Sequence, residues 1–69
     1  MTLAEAKLDE DGALSCVEEI RHLILRDSSL MLEYATSTTW DYSESRGRRV
    51  RTSLKRIREL AQKLLDSGP

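Results

Sequence analysis

Several features that mark common enzyme and secreted-protein classes are scarce in this chain of 69 residues. Its only cysteine, Cys16, cannot form an intrachain disulfide, and a lone thiol favours a reducing compartment. Three glycines are too few for a phosphate-binding glycine-rich loop. No apolar run approaches the roughly 20 residues of a membrane span. The sequence therefore predicts a small domain that is not embedded in a membrane.

Catalytic and metal-binding patterns are also missing. The single histidine, His22, lies six residues from Cys16 and on a different face of a helix, whereas zinc needs three or four ligands. No base is placed to activate Cys16 or Ser15 as a nucleophile. We therefore expect no catalytic site, no metal and no cofactor, and hence no enzyme. The acidic amino-terminal segment does not resemble a secretory signal, which favours a cytoplasmic location.

Charge is distributed unevenly although the formal net charge is only −1. Residues 1–40 carry three basic and eight acidic side chains, whereas residues 41–69 carry eight basic and four acidic ones. The run from Arg46 to Arg58 holds seven bases and no acid. An acidic first half and a basic second half indicate a polyanionic partner for the second half.

The pattern of apolar residues and breakers divides the chain into an acidic, partly disordered segment 1–12 and a helical hairpin domain 13–66. Ser15 followed by Glu18 fits a capping box for a first helix of about 13–36. A turn is expected at 37–40, and Asp41 with Glu44 fits a second cap. A basic helix of about 41–65 follows and ends at Asp66-Ser67-Gly68-Pro69. The predicted fold is all-α.

The apolar stripe of the first helix is wider than one neighbouring helix can cover. Because so small a chain also has a marginal core, we expect two hairpins to form a homodimeric four-helix bundle. The residues expected in the core or at the dimer interface are Val17, Ile20, Ile24 and Met31 of the first helix and Val50, Leu54, Ile57, Ala61 and Leu64 of the second.

The second helix combines that apolar face with bases on both flanks. Arginine binds phosphate oxygens with two parallel hydrogen bonds, and the sequence lacks asparagine for reading base edges. We therefore expect phosphate contacts that are insensitive to DNA sequence. The candidate nucleic-acid-binding residues are Arg46, Arg48, Arg49, Arg51, Lys55, Arg56, Arg58 and Lys63.

A second interpretation of the same helix stays open. Runs of charge usually form a solvated face, and the acidic first helix could neutralise the basic second helix across the hairpin. The bases could also dock on an acidic protein, as in a regulator, adaptor or inhibitor. Against neutralisation alone, seven bases in thirteen residues repel one another, and they lie in the half of the helix where the macrodipole disfavours them.

Residues 43–57, from Ser43-Glu44-Ser45-Arg46-Gly47 through Arg-Val-Arg-Thr to Ile57, resemble the basic helix of bacterial histone H1-like proteins of the chlamydial type. The similarity extends over residues 43–65. It implies a small all-helical, nucleoid-associated protein that compacts double-stranded DNA without sequence specificity. The partners expected from the sequence are thus double-stranded DNA, with RNA or an acidic protein surface as alternatives, and a second copy of the chain.

Overall fold

The computed structural model describes residues 7–37 and 44–69 as a hairpin of two helices. Helix α1 spans Glu10–Thr36 and helix α2 spans Glu44–Ser67. The all-α hairpin predicted from the sequence is therefore confirmed. The predicted turn at 37–40 and the Asp41 cap fall largely outside the described residues, apart from Ser37, which ends α1 with its N–H bonded to the carbonyl oxygen of Glu33 at 2.9 Å.

Helix α1 begins at Glu10, three residues before the predicted start. The cap is Asp9, whose side chain accepts a hydrogen bond from the backbone N–H of Gly12 at 2.7 Å. Ser15 consequently lies inside the helix, and Gly12 lies in its first turn and does not separate it from the segment before it. An acceptor side chain just before the first turn satisfies an otherwise unpaired N–H, which is why Asp9 and not Ser15 starts the helix.

The two helices run antiparallel, because contacts that advance along α1 move backwards along α2. The backbone N–H of Leu8 donates to Ser67 at 2.8 Å, Glu19 binds Arg56 at 2.7 Å, and Asp27 binds Arg49 at 2.9 Å. These three contacts between parts distant in sequence set the register of the hairpin along most of its length.

The described core is small. Four hydrophobic residues are buried, namely Cys16 and Leu23 of α1 and Val50 and Leu60 of α2. Ile20, Ile57 and Leu64 are partly buried and pack against the cluster of Cys16, Leu23 and Leu60. Val17, Ile24 and Leu54 were also predicted at the core or dimer interface, but within the hairpin they are 48%, 43% and 37% exposed.

The reason for this difference is that α1 faces α2 with one edge of its apolar stripe. The facing edge follows Cys16, Leu23 and the buried Asp27, and α2 is rotated to present Ser53 and Leu60 beside Val50. Both contact faces are thus rotated away from Ile24 and Leu54. One neighbouring helix covers only this edge, which leaves the rest of the wide stripe exposed.

Candidate nucleic-acid interface

Helix α2 carries eight bases, and the structure divides them by what their side chains contact. Arg49 and Arg56 bind acids of α1. Arg46 lies 3.5 Å from Glu33, and Arg48 binds Glu44 of its own helix at 2.8 Å. Arg51, Lys55 and Arg58 have no hydrogen bond or ion pair within residues 7–37 and 44–69. Lys63 lies close enough to Glu19 to lower the pKa of that carboxyl.

The contact between Arg49 and Asp27 belongs to a cluster of four side chains. Asp27 is 2% exposed. Its Oδ1 accepts from Nη2 of Arg49 at 2.9 Å and from Nε at 3.1 Å. Its Oδ2 accepts from Oγ of Ser53 at 2.7 Å and from Nη2 of Arg26 at 3.0 Å. The same Arg26 nitrogen reaches Oγ of Ser53 at 3.2 Å, so α1 and α2 are joined through one buried carboxylate.

Electrostatics hold this carboxylate in its charged form. The hydrogen bond from Arg26 is the largest cause that lowers the pKa of Asp27, and burial, which alone would raise the pKa, is outweighed when Ser53 and Arg49 add their hydrogen bonds. Asp27 also has non-helical backbone angles inside α1, with φ −118° and ψ 15°, so the helix is kinked there. The kink therefore lies at the centre of the cluster. The side chain of Arg49 is engaged in holding the two helices together.

Arg56 makes the second link between the helices. Its Nε and Nη2 donate to the two carboxylate oxygens of Glu19 at 2.7 and 3.1 Å, the two-pronged geometry typical of strong arginine–carboxylate pairs. This hydrogen bond is the main reason that the pKa of Glu19 is lowered and that of Arg56 is raised. The acidic first helix therefore does neutralise part of the basic one, as the second interpretation anticipated.

We call the flank of the hairpin that carries Glu19, Asp27, Arg49 and Arg56 the ion-pair side. At about 100° per residue, Arg51, Lys55 and Arg58 project from the opposite flank and the back of α2. Their spacing of four and three residues aligns them as one strip about 10 Å long, since each residue adds about 1.5 Å. All three are exposed. We call these three residues the free basic strip.

The cluster around Asp27 was missed by sequence reasoning, which counted Asp27 only as one of the acids of the first half. A signal was available. Asp27 falls at helical spacing between Leu23 and Leu30, on the edge of the apolar stripe that also contains Cys16. An acid at such a position must be paired when it is buried, and the chain offers an excess of arginines to pair it.

Other kinds of site find no support in the described part of the chain. Residues 7–37 and 44–69 contain no group of three or more His, Cys, Asp or Glu side chains arranged to hold a metal ion. A shallow depression on α2 is lined by Arg58, Lys63 and Gln62 together with two acids, Glu59 and Asp66, so it is not a positively charged cradle. Neither described helix is long and apolar enough to cross a membrane.

Comparisons with protein-family models, with curated proteins and with solved structures found no match to this chain. The function of the site is therefore inferred from its geometry alone. Two arginines of α2 fasten the hairpin, and three bases on another face of the same helix are exposed and form no ion pair with the described residues.

Proposed function

We propose that this protein binds double-stranded DNA without sequence specificity, as a small histone-like protein of the cytoplasmic nucleoid. The observation that carries the proposal is the free basic strip. The fold is held by Arg49 and Arg56, which bind Asp27 and Glu19, whereas Arg51, Lys55 and Arg58 make no contact that the hairpin needs. Three aligned, exposed cations repel one another on the free helix, and phosphates along a DNA backbone would relieve that repulsion.

The chemistry of the strip favours phosphate over base contacts. Two of its three residues are arginines, whose guanidinium groups bind phosphate oxygens in pairs. The chain contains no asparagine, and its only glutamine, Gln62, donates to Asp66 at 2.8 Å. The resemblance of residues 43–65 to the histone H1-like proteins is in keeping with such a role. We further propose that the DNA-binding unit is a homodimer, which would present two strips.

The test compares arginines that differ only in their surroundings. Arg58→Gln removes a base of the free strip, Arg56→Gln removes one that binds Glu19, and Arg21→Gln removes an exposed base of α1. Affinity for an arbitrary DNA duplex is measured by fluorescence anisotropy over a series of salt concentrations. Wild-type binding is expected to fall steeply with salt, and Arg58→Gln should reduce the slope of log K against log salt by about 1 per protomer.

The control variants make the outcome specific to the strip. Arg21→Gln changes the net charge equally and should leave the slope near the wild-type value. If the wild-type protein does not bind DNA at low ionic strength, the proposal is ruled out and the acidic-protein alternative is favoured. Equal losses for Arg21→Gln and Arg58→Gln would show that binding reflects net charge and not the strip. A parallel titration with duplex RNA separates the two nucleic acids.

A further inference from the structure

The side of the hairpin opposite the ion-pair side exposes apolar surface from both helices. On α1, Val17 and Ile24 project away from Glu19 and Arg26, and on α2, Leu54 and Leu65 project away from Arg49 and Arg56. Because the helices are antiparallel, these two flanks lie on the same side of the hairpin. We call the surface formed by Val17, Ile24, Leu54 and Leu65 the open side. Leu65 is 72% exposed and the other three are between 37% and 48% exposed.

The centre of the open side carries no charge. Between the two helix axes, Ile20 and Met31 of α1 and Ile57 and Ala61 of α2 are partly buried and continue the apolar surface. Arg51 and Arg58 of the free basic strip lie at the edge of this surface on α2. An uncharged centre with charged residues at its edge is the usual composition of a protein–protein interface.

The architecture of the hairpin argues for the same conclusion. Domains normally pack two layers of secondary structure around their core, whereas this hairpin is a single layer with four buried hydrophobic residues in its described part. The chain exposes 5573 Å² of surface, and a compact monomer of its size would expose about 4,400 Å². Part of this excess of about 1,200 Å² lies on the open side, and a standard interface buries roughly 800 Å² on each partner.

We infer that the open side is a two-fold interface between two copies of this chain. A second hairpin supplies the missing layer and gives each helix two neighbours, as in a four-helix bundle. An acidic partner would leave the uncharged centre without any complementary group, whereas an identical apolar surface matches it. Leu14, Leu25 and Leu32, which are 54%, 70% and 66% exposed, lie on the back of α1 and outside this interface.

This dimer has a consequence for the free basic strips. Because Arg51 and Arg58 lie at the edge of the interface and Lys55 lies on the back of α2, dimerisation leaves both strips exposed and brings two into one particle. The interface itself does not depend on DNA binding. Only the gain in DNA affinity from two strips rests on the proposed function, and the dimer is therefore measured first in the absence of DNA.

The experiment is sedimentation equilibrium of the full chain from micromolar to millimolar concentration, with circular dichroism to follow helicity. Wild type is expected at twice the mass of one chain. Ile24→Glu and Leu54→Glu place charges on the open side and should sediment as helical monomers. Ser29→Glu adds the same charge at an exposed position of α1 that points away from the open side, and it should remain a dimer.

A milder variant covers the case in which a buried glutamate prevents folding. Val17→Ser removes apolar surface from both copies without adding charge, and it should raise the dimer Kd by about tenfold or more. A wild-type monomer at the highest concentration overturns the inference. So does a dimer that Val17→Ser and Ile24→Glu leave intact, or one that Ser29→Glu dissociates equally. If the dimer is confirmed but no variant binds DNA, only the proposed function fails.

Discussion

The two sides of the hairpin differ in chemistry. Ion pairs join the two helices on one side, and apolar side chains are exposed on the other. On the ion-pair side, Asp27 and Glu19 of α1 bind Arg49 and Arg56 of α2 through hydrogen bonds of 2.7 to 3.1 Å. On the open side the side chains are apolar and exposed. Apolar contact is non-directional, whereas charged hydrogen bonds demand particular partners and angles. The comparison indicates that charge pairing selects which edge of the wide α1 stripe faces α2.

The largest expected effect comes from breaking the ion-pair side at its centre. Asp27→Ala removes the acceptor that binds Arg26, Arg49 and Ser53 and leaves the buried hydroxyl of Ser53 without its shortest bond. Loss of a buried charged acceptor is costly, but both arginines are about half exposed and can return to water. We expect the free energy of unfolding to fall by about 2 kcal/mol. Urea unfolding at fixed protein concentration measures it.

A control variant in the same helix tests whether this loss of stability is specific to Asp27. Glu18→Ala removes an exposed acid from the same helix, and it should change stability by less than about 0.5 kcal/mol. Similar losses for Glu18→Ala and Asp27→Ala would mean that the cluster does not fasten the helices. A double-mutant cycle of Asp27→Ala with Arg49→Ala then gives the coupling between these two residues.

The parts of the structure that could be predicted from sequence are those that depend on local patterns. Helical periodicity, helix-breaking residues and the stop signal at Ser67-Gly68 predict two helices in a hairpin. The width of the apolar stripe on α1 predicts that one partner helix cannot cover it. Residue spacing does not say which edge of a wide stripe is buried. That choice depends on tertiary pairing, in which Asp27 meets Arg49 across 22 positions of sequence.

The same limit explains the division of the bases on α2. Sequence reasoning treated Arg49 and Arg56 as equivalent to Arg51 and Arg58, since all lie on the flanks of one amphipathic helix. Only the orientation of α2 against α1 shows that Arg56 meets Glu19 while Arg58 faces solvent. A substitution at Arg49 or Arg56 therefore disturbs the hairpin as well as any anion site, and Arg58 is the cleaner probe.

The next effect is a loss of stability in acid that depends on the ion-pair side. The pKa of Asp27 is lowered in the folded state, chiefly by the hydrogen bond from Arg26, so the unfolded chain takes up a proton first as the pH falls. The stabilisation is complete well above the ordinary Asp pKa of about 3.9 and is lost progressively as the pH falls from there towards the lower folded-state pKa. Glu19, whose pKa is also lowered, changes stability in the same direction.

We expect this linkage to remove about 1 kcal/mol from the free energy of unfolding between about pH 6 and pH 3. Urea unfolding at a series of pH values measures it. Asp27→Asn cannot ionise, so its stability should depend less on pH over this range while being lower at neutral pH. A variant with the wild-type acid slope would show that other carboxyl groups are responsible.

The smallest expected effect probes the edge of the open side at Gly47. This glycine lies inside α2, where glycine is less favourable than alanine by about 1 kcal/mol. A Cβ at Gly47 would lie 3.1 Å from Nη1 of Arg51, the flexible end of a side chain that can move aside. At Gly12, by contrast, a Cβ would lie 3.1 Å from Oδ1 of Asp9, the atom that caps α1.

Gly47→Ala is therefore expected to raise the free energy of unfolding by about 0.5 kcal/mol, and Gly12→Ala is expected to gain less because it crowds the cap. Thermal unfolding of both variants at one protein concentration compares them. The helical angle of Gly47 places it on the same flank of α2 as Leu54. A destabilised Gly47→Ala that also sediments as a monomer would mean that the second copy packs directly against Gly47, which would extend the open side by about two turns towards the start of α2.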